Sequence, residues 1–107
     1  MDSIIIVQAK KLISEFHKSF ARCQQSSPDY VRIQRNIREI QSTLERINKE
    51  NNKSLIALEK FYQSTSLIIG LGAIKLDNET LDKWRSYDRF HFDNVKPKLK
   101  LYGPIVV

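Results

Sequence analysis

One apolar seam runs through the middle of this chain and limits what it can fold into. Tyr30, Ile33, Ile37, Ile40, Leu44, Ile47, Asn51, Ser54, Leu58 and Phe61 follow one another at alternating steps of three and four residues. This is a heptad pattern, with Tyr30, Ile37, Leu44, Asn51 and Leu58 at one core position and Ile33, Ile40, Ile47, Ser54 and Phe61 at the other. It predicts a long helix over 28–69 whose apolar stripe another helix must cover. Proline occurs only at Pro28, Pro97 and Pro104, so no proline interrupts that span.

A second stripe precedes it. Ile6, Ala9, Ile13, Phe16, Phe20 and Cys23 recur at helical spacing, and Ile5 and Leu12 widen the face. This predicts a first helix over 1–25, capped by Asp2 or Ser3. Ser26-Ser27-Pro28-Asp29 then makes a tight turn. Ser27 is a natural N-cap, Pro28 fits the first helical position and Asp29 complements the helix dipole. The two helices are expected to pack antiparallel.

Their lengths do not match. At 1.5 Å per residue the first helix spans roughly 33 Å and the second roughly 60 Å. Half of the long seam, around Leu55, Leu58, Phe61 and Tyr62, is therefore left for the C-terminal segment or for another chain. Apolar residues at 55, 58 and 62 also imply a phase shift after Asn51, where a second packing partner takes over. Asn51 itself has two readings. It is a buried polar residue that fixes register, or part of a solvated stretch, Glu50 to Ser54, between two apolar patches.

Gly70-Leu71-Gly72 lacks the third glycine and the following lysine of a phosphate-binding loop and reads as a helix C-cap and reversal. Asp77 caps a third helix over 77–92, with Leu76 and Leu81 placed as a hydrophobic staple. Leu81, Trp84, Tyr87 or Asp88, and Phe90 or His91 form its aromatic-rich face, with Trp84 as anchor. From Lys96 the chain alternates basic and apolar residues, which predicts an extended tail over 96–107. Ile105, Val106 and Val107 suit docking, on the chain's own helices or on a partner's sheet edge or terminus-binding groove.

Composition bounds the function. A chain of 107 residues with 41% hydrophobic and 28% charged residues is expected to form one ordinary globular domain, 1–107. The net charge of +6 is spread evenly, since residues 1–27, 28–69 and 70–107 each carry two more cations than anions. No basic arm marks a nucleic-acid binder. Arg32, Arg35, Arg38, Arg46, Lys49, Lys53 and Lys60 do form a stripe opposite the seam, broken by Glu39, Glu45 and Glu59. Cys23 is the only cysteine, which fits a reducing compartment, and the longest apolar run, Leu67–Leu76, falls short of the about 20 residues a membrane span needs. A soluble intracellular protein is expected.

A search for chemistry yields no catalytic set, no cofactor motif and no metal site. His17 falls beside the first stripe, and Asp88 with His91 gives only two ligands of the three or four a metal takes. The acidic residues of the long helix read as ordinary surface pairs. The expected fold is mainly α: an antiparallel helical hairpin or coiled coil with one long helix, a short third helix and an extended tail. The expected role is that of a non-enzymatic structural subunit. It would join other coiled-coil subunits in a hetero-oligomer, or its own copy in a homodimer, through Leu55, Leu58, Phe61, Tyr62, Trp84, Ile105 and Val107. The alternative is a nucleic-acid or acidic-surface binder that uses the basic stripe with Lys96, Lys98 and Lys100.

Overall fold

A computed structural model describes residues 4–23, 27–72 and 74–101, the side chains of 100 and 101 apart. The described part is mainly helical and contains no strand. Helix α1 runs Ile4–Ala21, α2 Pro28–Arg46, α3 Asn52–Gly70 and α4 Asn78–Phe90. A π-turn, His91–Val95, follows and leads into α5, Lys96–Leu101. The caps proposed at Asp2 and Ser3 lie outside the described residues.

The local signals at three helix boundaries act as their chemistry requires. Ser27 Oγ accepts from the Tyr30 amide at 3.2 Å, with Pro28 beginning α2. Asp77 Oδ1 accepts from the Thr80 amide at 2.8 Å, and the Thr80 hydroxyl first and this amide second hold the exposed Asp77 carboxyl below its ordinary pKa. Gly72 takes φ +68° just after α3, a left-handed conformation that favours glycine.

The expected helix over 28–69 is two helices. Ile47 leaves the helical region at φ −120°, ψ 87°, and Asn51 restarts the chain as an N-cap. Its Oδ1 accepts from the Ser54 amide at 2.9 Å, while Ser54 Oγ accepts from the Asn51 amide at 3.0 Å. Ser54 Oγ also donates to the Lys49 carbonyl at 2.7 Å. This reciprocal capping box explains the break: Asn51 and Ser54 bond backbone groups that a continuous helix would have used itself. Asn51 is thus neither a buried register residue nor a merely solvated one. The heptad spacing runs across the break because both helices turn their apolar faces to the same core.

Contacts establish the packing direction. From Lys10 to Phe20, α1 meets Asn48, then Gln41, then Tyr30, so it runs antiparallel to α2. Glu15, Ser19 and Arg22 meet Lys83, Thr80 and Glu79, which sets α4 antiparallel to α1. Asn36 bonds Ser64 and Thr65, joining α2 to α3. Glu50, Glu59 and Tyr62 on α3 meet Lys98, His91 and Asp88. The result is an up-and-down arrangement of four helical segments, the last being α4, the π-turn and α5 in continuous right-handed backbone.

The C-terminal segment corrects the sequence reading most. Residues 96–101 are helical, not extended. The Lys96 amide donates to the His91 carbonyl, five residues back, in the widened turn directly before Pro97. A proline at that position has no amide to donate and crowds the preceding turn, so a local widening there has an evident cause. The π-turn also keeps His91, Val95 and Leu99 on one buried face. The segment covers the half of α3 expected to be bare, and all five helices share one core. Residues 102–107 lie outside the described residues.

Candidate functional site

Two places among the described residues carry unusual groupings. The first is a polar network where α3 faces the π-turn. His91 is wholly buried. Its ring stacks on Tyr62, with centroids 4.1 Å apart and planes 9° apart. His91 Nε2 lies 2.6 Å from Glu59 Oε1, and Nδ1 lies 3.1 Å from Tyr87 Oη. A carboxylate only accepts, so the neutral imidazole donates from Nε2 to Glu59 and accepts at Nδ1 from the Tyr87 hydroxyl. Lys96 Nζ donates to Glu59 Oε2 at 3.2 Å and sits 5.5 Å from the Tyr62 ring centroid. Tyr62 Oη donates to Asp88 Oδ1 at 2.6 Å.

The electrostatics follow from burial and pairing. Burial pushes the His91 imidazole below its ordinary 6.5, against the opposing pull of Glu59. Burial also disfavours the Glu59 carboxylate, but the bonds and charges of His91 and Lys96 outweigh it and bring its pKa below 4.5. The hydrogen bond to Asp88, with burial, pushes Tyr62 up to about 12, and burial raises Tyr87 further above its ordinary value. Tyr–His–Glu in one chain is the format of a proton relay. Here Tyr87 and His91 are both fully buried, so no exposed nucleophile stands at its end. Every buried side-chain polar atom among the described residues has a partner, as a structural network requires.

The second place is open. A groove of about 560 Å³ lies between α2 and α3. Ile40, Ile56, Ala57 and Phe61 supply its apolar floor, Lys53 and Lys60 its α3 rim, and Glu39 with Thr43 its α2 rim. The bonds from Asn36 Nδ2 to Ser64 and Thr65 tie the two helices together at one end. A smaller recess of about 320 Å³ lies between α1 and α2, beside Lys10 and Gln41.

The residues expected to meet a partner are placed differently. Leu55 and Leu58 are fully buried, and Phe61 and Trp84 nearly so, all inside the chain's own core. Phe61 packs edge-on against Trp84 and Tyr87. Tyr62 is half-buried in the polar network. Ile105 and Val107 lie outside the described residues. The basic stripe is also divided. The break after Arg46 puts Lys53 and Lys60 on α3, Arg32 pairs with Asp29, and Lys96 and Lys98 are held by Glu59 and Glu50.

Part of this was recoverable from spacing. Trp84, Tyr87 and His91 lie at steps of three and four, which places His91 on the buried face. Its partner Glu59 was not, because that pairing depends on how α3 and the C-terminal segment align. Among the described residues no three His, Cys, Asp or Glu side chains gather to hold a metal, and no helix is long and apolar enough to cross a membrane. No protein-family model matches the chain, and no curated protein or solved structure matches it.

Proposed function

We propose that the chain is a non-enzymatic helical subunit that joins helices of other proteins in an intracellular multi-subunit assembly. The groove between α2 and α3 carries this reading: an apolar floor stays open beside a core already filled by the chain's own helices. Exposed Leu67 on α3 and exposed Leu71 at its C-cap add apolar surface at the end of that helix. Catalysis is disfavoured because, in the relay-like set found among the described residues, Tyr87 and His91 are fully buried. The single free thiol, Cys23, fits a reducing compartment.

Copurification of the tagged chain from its native cell, with stoichiometry, tests the reading. Helical protein partners are expected in fixed ratio, retained through a high-salt wash and retained when Arg35 and Arg38 are changed to Glu. Absence of a protein partner overturns it, as does binding to a generic oligonucleotide that falls steeply with salt and is lost in the same variant. That second result is the signature of phosphate contacts, each of which releases counterions.

A further inference from the structure

The groove has a charge pattern as well as an apolar floor, and the pattern selects an occupant. On α3, Lys53, Ala57, Lys60 and Ser64 line the groove at steps of four, three and four. Lys53 and Lys60 are seven residues apart, two turns along one flank, and both are exposed. On α2, Asn36, Glu39 and Thr43 line the opposite rim at steps of three and four. No hydrogen bond or ion pair among the described residues takes up Lys53, Lys60 or Glu39. Arg32, one turn before Asn36, is already paired with Asp29 at 3.7 Å.

These are the elements of a coiled-coil interface seen from one side. Two helices present a shared apolar trough, and charges at heptad spacing border it where partner flanks run. The α3 rim carries two cations, Lys53 and Lys60, and the α2 rim a single anion, Glu39, so the two edges of the trough are distinguishable. Lys53 to Ser64 spans about three helical turns. Leu67 and Leu71 continue the α3 stripe by steps of three and four and are 63% and 73% exposed.

We infer that this groove binds an amphipathic helix of a different protein, with an apolar central stripe and acidic residues seven apart on the flank over α3. Resting on the assembly reading above, this names the partner's chemistry. Apolar residues of the incoming helix cover Ile56 and Ala57, while its acidic flank meets Lys53 and Lys60 and repels a wrongly oriented helix through Glu39. The flank charges fix orientation and choice of partner more than raw affinity.

The test uses the full chain and two labelled helical peptides of equal length. Both carry Leu at the central stripe, and the flank positions seven apart are Glu in one and Lys in the other. Fluorescence anisotropy is expected to show the Glu peptide binding about tenfold tighter, the scale of two partly desolvated pairs against two repulsions. Lys53→Glu with Lys60→Glu is expected to invert that order. Both sites are exposed, so circular dichroism and melting should stay unchanged. Ala57→Trp, which fills the trough, should weaken both peptides.

Equal binding of the two peptides, or indifference to Ala57→Trp, overturns the groove assignment. If the reversed variant still copurifies its native partners in fixed ratio, the assembly reading stands on another surface. A dimer by sedimentation that the Glu peptide dissociates assigns the groove to a second copy of this chain. A duplex oligonucleotide that displaces the Glu peptide, and no longer binds once Lys53 and Lys60 are reversed, assigns it to nucleic acid. Either result overturns the inference.

Discussion

At the scale of single residues, His91 shows how a titratable group serves stability in place of chemistry. Its two nitrogens are both used, Nε2 toward Glu59 and Nδ1 toward Tyr87, with no exposed edge. Burial lowers its pKa, so below 6.5 the unfolded chain takes up a proton that the folded chain withholds. Stability therefore falls as pH drops through 6.5 and levels off below the folded value. Glu59, also lowered, adds a second loss as pH falls through and below 4.5. Urea denaturation between pH 7.5 and 5 is expected to show the first slope, which His91→Gln should flatten. Nitrogen shifts of His91 at pH 7.5, above its ordinary pKa, should report the neutral ring protonated at Nε2; a ring protonated at Nδ1 there would refute the assigned network. Asn51 gives a simpler case. Removing the cap with Asn51→Ala should cost about 1 kcal/mol by urea denaturation, whereas an uninterrupted helix would gain from alanine at that position.

At the scale of elements, capping and helix phase decide more than hydropathy does. The seam from Tyr30 to Leu44 and the seam from Ser54 to Ile68 belong to different helices, yet both are buried. A substitution test separates faces on the first. Leu44→Asp leaves a charge in the core at a cost of several kcal/mol, comparable to total stability. Arg35→Glu, exposed on the outer face, should move stability by only about 0.5 kcal/mol in thermal melts. The C-terminal segment offers a sharper comparison. Val95 and Leu99 are buried while Pro97 between them is exposed, which a helix allows and a period-two strand, with all three on one face, does not. Leu99→Ala should cost about 2 kcal/mol or more through the cavity it leaves. Lys98→Ala removes only a partly exposed pair with Glu50, at 3.6 Å, and should cost under about 1 kcal/mol. Equal costs would mean that α5 does not dock on α3.

At the scale of the whole molecule, the filled core predicts independence. The radius of gyration, 13.5 Å over Cα atoms, is close to the about 13 Å expected for a compact chain of this length. The α4–π–α5 segment covers the half of the seam that α1 does not reach, so the purified chain is expected to sediment as a monomer at micromolar concentration. Leu58→Asp then has a different meaning from an interface mutation. With Leu58 fully buried, the change should unfold the chain, seen as lost helical dichroism, before any partner is added. A folded Leu58→Asp variant that fails only in binding would show that this seam belongs to a partner after all.

Sequence by itself determined the helical class, the apolar faces of α1 and α2, and the caps at Ser27 and Asp77. Each of these depends on residues within one or two turns of each other, where spacing and side-chain chemistry act locally. It pointed to one helix over 28–69 where there are two, because a heptad pattern persists whenever two consecutive helices turn toward the same core. It pointed the wrong way at 96–101, where alternating Lys and Leu resembles a strand but the face of α3 rewards a helix with a π-turn before Pro97. The pairing of Glu59 with His91, 32 residues apart, and the trough between Ile40 and Ala57 arise only when helices align side by side. Register between distant segments is set by the summed packing of many side chains, and no short stretch of sequence carries it.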